Sequence, residues 1–150
     1  MKRDINRIVN QYVRLCGSRS PFDIAEYLNV QVQTGPLGSR CGCYMYLKKH
    51  RCIFLNETLT EDERLLVMAH ELGHAILHKK QNCYFIRNHT LLLDSKIEKE
   101  ANLFAADLII SDELLVEARE HDYTLAQLGR LAHCCNRLVQ MRLLQDEGCN

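Results

Sequence analysis

The sequence predicts an α+β chain, a small antiparallel sheet packed on helices. Three observations carry that expectation. Apolar residues recur at helical spacing over long stretches, most clearly in residues 61–79 and 95–110. Between residues 30 and 56 the pattern changes to short strand-like runs broken by turn residues. Apolar content of 47% is ample for a core, and charged content of 25% is ordinary for a soluble protein.

Taken in order, Ile5, Ile8, Val9, Tyr12, Val13 and Cys16 give residues 4–16 an amphipathic helical face, which Gly17 ends. Ser20-Pro21 starts a second helix, a capping hydroxyl followed by Pro at the first helical position. Residues 30–34 read as a strand and Gly35-Pro36-Leu37-Gly38 as a turn. Residues 42–48 and 52–56 follow as strands, with Lys49-His50-Arg51 as the polar tip of their hairpin. Thr60-Glu61-Asp62-Glu63 is a capping box that opens a helix over residues 61–79. Residues 80–94 read as a loop, with a short strand near Tyr84-Phe85-Ile86. Ser95 starts a helix to about Ile110 with Ala101, Leu103, Phe104, Ala105, Leu108 and Ile109 on its apolar face. Ser111 caps a helix over 112–120, Thr124 caps another, and the chain from Asn136 is helical again.

The 19 basic and 19 acidic side chains cancel, which argues against a broad surface for nucleic acid or anionic membrane. No apolar run approaches the ~20 residues needed to span a bilayer. The N-terminal stretch lacks the uninterrupted apolar segment of a signal peptide, so the expected location is cytoplasmic. The eight cysteines (Cys16, Cys41, Cys43, Cys52, Cys83, Cys134, Cys135 and Cys149) are then expected to be mostly thiols. None forms a C-x-x-C pair, and Cys41-x-Cys43 alternates like a strand rather than a metal knuckle.

The most informative stretch is His70-Glu71-Leu72-Gly73-His74, which reads HExxH inside the helix of residues 61–79. Residues i and i+4 of a helix stand one above the other, about 6 Å apart in rise. Two imidazoles so placed can close on one metal ion, and Glu71 can reach a water bound to it. That is the physical content of the zinc-protease signature. Leu65, Leu66, Val67, Ala69, Leu72, Ala75, Ile76 and Leu77 supply more apolar surface than a solvent-facing helix needs. Gly73 costs about 1 kcal/mol relative to Ala in a helix interior, so another element is expected close to the backbone between the two histidines. The plain alternative is a helix with two surface histidines.

Catalytic zinc takes three protein ligands and a water. His78 stands at i+8 from His70, about 12 Å further along the axis, and cannot share an ion with it. It reads as a capping or packing residue whose charge suits the helix end. The next helix offers Glu98 and Glu100. Asn102 shares a face with Glu98 and could orient a ligand histidine by accepting its free N–H. Ser95-x-x-Glu98 also fits a capping box in which Glu98 only bonds backbone. Periodicity therefore leaves Glu98, Glu100 or neither as the third ligand. Tyr84 and His89 are candidate oxyanion donors in the intervening loop, with ordinary loop side chains as the alternative.

A different function is also readable. Leu125, Leu128, Leu131 and Ala132, a break near Cys135-Asn136, then Leu138 and Val139 imitate a helix-turn-helix, with Arg130, Arg137 and Arg142 placed to touch phosphate. That would suit a transcriptional regulator or interaction module without proteolysis. At zero net charge, two helices that complete the core are the preferred reading.

The strings HELGHAILH at residues 70–78 and EKEANLFAADL at residues 98–108 resemble the ImmA/IrrE family of zinc metallopeptidases. So do PFDIAEYLNVQVQTGPLGSRCG at residues 21–42 and Asn82-Cys83-Tyr84-Phe85, so the likeness covers most of the chain. The short length resembles the ImmA branch. The resemblance implies an α+β fold with a gluzincin-like zincin core and extra C-terminal helices. It implies Zn2+ held by His70, His74 and Glu98, with Glu71 as general base. It also implies a zinc endopeptidase that cleaves a cognate helix-turn-helix repressor and so derepresses a phage or integrative element. Direct nucleic-acid or membrane partners are not expected. The expected organisation is a single metallopeptidase domain over residues 1–150: N-terminal helices and sheet in 1–56, zinc-binding helices in 60–110 and C-terminal helices in 111–150. One departure is visible: a Pro often follows the second ligand helix in the family, and here Ile110-Ser111-Asp112 stands instead.

Overall fold

The first helix, α1 (Ile5–Cys16), starts where the Asp4 carboxylate accepts the Arg7 N–H at 3.0 Å. It stops at Gly17, whose φ of 75° is the left-handed conformation that glycine takes at little cost. The computed structural model describes residues 4–86 and 95–147, with residues 83–86 as backbone. Helix α2 (Pro21–Tyr27) carries Pro at its first position as expected, but the Ser20 hydroxyl makes no cap bond. Ser18 does the local work instead, accepting from the Ser20 N–H at 3.0 Å and donating to Asp23 at 2.7 Å.

Strands β1 (Gln31–Gly35), β2 (Arg40–Leu47), β3 (His50–Asn56) and β4 (Cys83–Ile86) make a four-stranded sheet in the order β1-β3-β2-β4. The β2–β3 hairpin closes through Lys48 and Lys49, with φ of 47° and 66°, and pairs Leu47 with His50. Two left-handed residues give the turn a twist that matches the strands. The tip is therefore one residue earlier than the Lys49–Arg51 expectation, and His50 and Arg51 belong to β3. A second correction concerns the sheet: β1 runs parallel to β3, so it is mixed rather than wholly antiparallel. The physical reason is partner choice. Strand β2 uses its two edges for β3 and β4, and β1 takes the remaining edge of β3, whose Ile53 and Leu55 are fully buried.

Helix α3 (Glu61–Leu77) begins with the expected capping box, in which Thr60 N–H donates to Glu63 at 3.0 Å and Glu63 N–H donates to Thr60 at 3.2 Å. Helices α4 (Lys96–Ile109), α5 (Asp112–Glu120) and α6 (Leu125–Leu131) start at Ser95, Ser111 and Thr124, each accepting a backbone N–H as expected. Helix α7 (Asn136–Glu147) follows. The missing Pro after α4 is covered by Ile110, which turns out of the helix at φ −105° and ψ 97°, and by the Ser111 cap.

Helix α3 lies between the sheet and α4. Tyr44, Ile53 and Leu55 from the sheet meet Met68, Leu72 and Ala75 from α3 and Phe104, Ala105 and Leu108 from α4 in one core. Each large apolar side chain buried there contributes roughly 1.5–3 kcal/mol. A second cluster of Ile110, Leu115, Ala118, Leu128 and Val139 lies under the C-terminal helices.

The C-terminal end of α4 has no basic residue of its own in the last turn. Its carbonyls are closed from elsewhere in the chain. Arg19 donates to Asp107 O at 2.6 Å and to Leu108 O at 3.1 Å. Arg142 of α7 donates to Ile110 O at 3.0 Å, faces the Asp107 carboxylate at 2.9 Å and also pairs with Asp112. At 2% exposure, Arg142 cannot touch phosphate, which corrects the reading of α6 and α7 on that residue; Arg130 and Arg137 are exposed. Among the described residues, no helix is long and apolar enough to cross a membrane.

Candidate metal centre

The second half of α3 is buried on every side, including His70, Glu71 and His74. Burial of three titratable groups in one helical turn is costly unless they have work to do together. Two glycines let neighbouring elements close on this turn. At Gly73, a Cβ would lie 3.2 Å from Ala101 Cα, Ala101 O and Phe104 Cβ, so α4 packs directly on the α3 backbone, as the glycine between the histidines predicts. At Gly42 of β2, a Cβ would lie 2.7 Å from Val67 Cγ1 and 3.4 Å from Glu71 Cγ.

This close packing brings Glu98, at the start of α4, against both histidines. Glu98 Oε2 lies 3.0 Å from His70 Nε2, Oε1 lies 3.1 Å from His74 Nε2, and the two Nε2 atoms are 3.2 Å apart. All three residues are buried and could together hold a metal ion. Ligand atoms bonded to one cation at about 2.0–2.2 Å stand roughly 3.3 Å apart, close to what is seen here. Ser95 does cap Glu98, but through the Glu98 backbone N–H, at 3.2 Å. The carboxylate is left for the histidines, so the capping and ligand readings of Glu98 coexist.

The outer nitrogens are engaged as well. His70 Nδ1 lies 2.8 Å from Asn102 Oδ1, the orienting contact expected from Asn102. An amide oxygen only accepts, so it places the ring proton on Nδ1 and leaves Nε2 a lone pair. Burial pushes the His74 imidazole down to about 4, against the pull of Glu98. A neutral ring is the form that binds metal. Desolvation alone would raise the Glu98 carboxyl, but the His70 and His74 rings that face it hold it down to about 2.

Glu71 is different. It is fully buried, and neither carboxylate oxygen has a hydrogen-bond partner among the described residues. Desolvation, then the nearby charge of Glu98, push its carboxyl well above the usual carboxylate range. A buried carboxylate without a hydrogen-bond partner among the described residues, beside a His-His-Glu group, fits a cation and a reacting water. Two contacts escaped the sequence reading. His78 Nδ1 lies 3.1 Å from His74 Nδ1, and His78 Nε2 lies 2.8 Å from Glu100 Oε2. The HxxxHxxxH spacing of His70, His74 and His78 was the signal that could have found the first. The Tyr84 side chain and His89 lie outside the described residues.

The close approach at Gly73 makes a prediction. Gly73→Ala adds a methyl against the α4 backbone, which cannot retreat without moving Glu98. Overpacking of about 1–3 kcal/mol should outweigh the ~1 kcal/mol gain in helix propensity. Urea unfolding should show a net loss of stability; a net gain would mean that α4 yields easily.

Residues 25–137 match the Peptidase_M78 family model, IrrE N-terminal-like domain, a span that includes all of α3 and α4. The chain is 33% identical over 147 residues to Uncharacterized immunity region protein 2 of Bacillus phage phi105, covering 97% of this chain and 90% of that protein. It is 31% identical over 118 residues to metallopeptidase ImmA of Bacillus subtilis strain 168, covering 77% of this chain and 69% of the relative.

Proposed function

The chain belongs to the ImmA/IrrE family of metallopeptidases, Peptidase_M78, and on that premise we propose that it is a zinc endopeptidase that cleaves a helix-turn-helix repressor of a phage or integrative element. One observation carries the catalytic part of this reading: His70, His74 and Glu98 converge beside a buried Glu71 that has no other partner among the described residues. The reading takes residues 1–150 as one metallopeptidase domain.

In this reading His70, His74 and Glu98 hold the metal, and two imidazoles with one carboxylate are a donor set that suits zinc. When bound, zinc supplies Lewis acidity that polarises a carbonyl and acidifies water. Glu71 moves the proton. It takes a proton from the attacking water and delivers it to the leaving amine nitrogen as the C–N bond breaks. Asn102 keeps the His70 ring in the tautomer that the metal needs. The apolar neighbours of α3 exclude bulk water and strengthen each of these interactions.

The repressor as substrate is supported by what the family resemblance implies and by the phage immunity-region relative. The test has two stages. Metal analysis of anaerobically purified protein should give one zinc per chain, lost in Glu98→Ala. The zinc-loaded protein should then cut a repressor encoded on the same element at one bond, read by mass spectrometry. A repressor left intact by zinc-loaded protein, in cell extract as well as purified, would remove the substrate assignment.

A further inference from the structure

The geometry assigns His78 and Glu100 a joint role, and we propose that they are positioning residues that form a relay fixing the His74 ring for the metal. This rests on the metal-centre reading above and deepens it. His74 Nε2 faces Glu98 and His70, while its other nitrogen, Nδ1, lies 3.1 Å from His78 Nδ1. His78 Nε2 in turn lies 2.8 Å from Glu100 Oε2. His78 is buried, and the Glu100 side chain is only 12% exposed.

The proton positions follow one from another. A carboxylate can only accept, so with one proton on each ring the His78 proton sits on Nε2 and donates to Glu100. His78 Nδ1 then carries a lone pair and can only accept. It accepts from His74 Nδ1–H, which leaves a lone pair on His74 Nε2, the atom turned toward Glu98. Without Glu100, the two rings could share the proton in either sense, and one sense puts it on His74 Nε2, where it blocks the metal. The end of α3 supplies the geometry. His78 is its C-cap residue, held by its backbone N–H on His74 O at 2.8 Å, so its ring folds back over the preceding turn. The two ligand histidines are thus oriented by different devices, an amide for His70 and a carboxylate–imidazole pair for His74.

The test is zinc affinity, measured by chelator competition on full-length protein, with far-UV circular dichroism to confirm folding. His78→Phe keeps a ring but removes the acceptor, and Glu100→Ala removes the far end; each should weaken zinc binding about 10–100-fold. The double variant should bind no more weakly than His78→Phe alone, because Glu100 acts only through His78. Glu100→Gln, whose amide oxygen accepts the same N–H, should bind within a few-fold of wild type. A folded Glu100→Ala that binds zinc as tightly as wild type overturns the relay, as does a double variant whose losses multiply. Wild-type protein that takes up no zinc overturns the relay and the metal-centre reading together.

Discussion

Glu71→Gln is expected to keep its fold and its metal and to lose peptide cleavage by about 10²–10⁴-fold. Glutamine preserves the volume of a fully buried side chain, so packing against β2 at Gly42 is unchanged. In the proposed mechanism it removes the group that takes a proton from water and hands it on. The metal should stay, because His70, His74 and Glu98 are untouched. Stability should not fall, because neither Glu71 oxygen has a hydrogen-bond partner among the described residues for the amide to lose. Turnover of the cognate substrate, metal content and Tm on the same preparation check all three parts. Wild-type turnover in this variant would mean that another group is the base.

Arg142→Met is expected to destabilise the protein by about 3–5 kcal/mol, through loss of one partner from a buried ion pair. Methionine fills most of the space, so the loss is electrostatic. Asp107, 1% exposed, would keep Asn6 at 3.3 Å and Gln145 at 2.8 Å but no cation on its carboxylate. Ile110 O would lose its donor, and Asp112, more exposed, would lose its partner to water. Urea unfolding of the double variant Arg142→Met/Asp107→Asn should recover much of the loss, since neither charge is then stranded. The deficit should also depend on pH. Burial already pushes the Asp107 carboxyl above its ordinary 3.8, against the opposing pull of Arg142, Asn6 and Gln145 and with a small push from Asp112. Without Arg142 it rises further. A raised carboxyl favours the folded state while protonated, so the penalty appears as pH climbs above the ordinary value through the folded one. The single variant should therefore approach wild type in acid and fall furthest behind near neutrality. A deficit under 1 kcal/mol at pH 7 would show that the pair contributes little.

Much of the fold was legible in local signals. Capping residues at Thr60, Ser95, Ser111 and Thr124 marked four helix starts, and Gly17 marked a helix end. These are short-range effects, written where they act. The partners of β1 were not legible, because alternation reports that a strand exists and not which edge receives it. The site divides the same way. HExxH announces itself because both histidines and the glutamate lie on one helical turn. Glu98 against Glu100 was ambiguous on periodicity alone, since both begin α4; only the approach at Gly73 turns one toward the histidines and the other toward His78. Arg142 looked like a surface cation because arginine is mostly exposed, and its burial depends on carboxylates and carbonyls more than 30 residues away in sequence.

The closure of α4 by Arg19 and Arg142 bears on how small this protein could be made. The two helices that meet at the histidines and Glu98 look like a portable hairpin that could be grafted or expressed alone. They are not self-contained. The carbonyls that end α4 are satisfied by a residue before α2 and by a residue in α7, so any fragment cut after Arg19 or before Arg142 would lose donors that close this helix. A unit that keeps the closure of α4 intact therefore reaches from at least Arg19 to Arg142, nearly the whole chain.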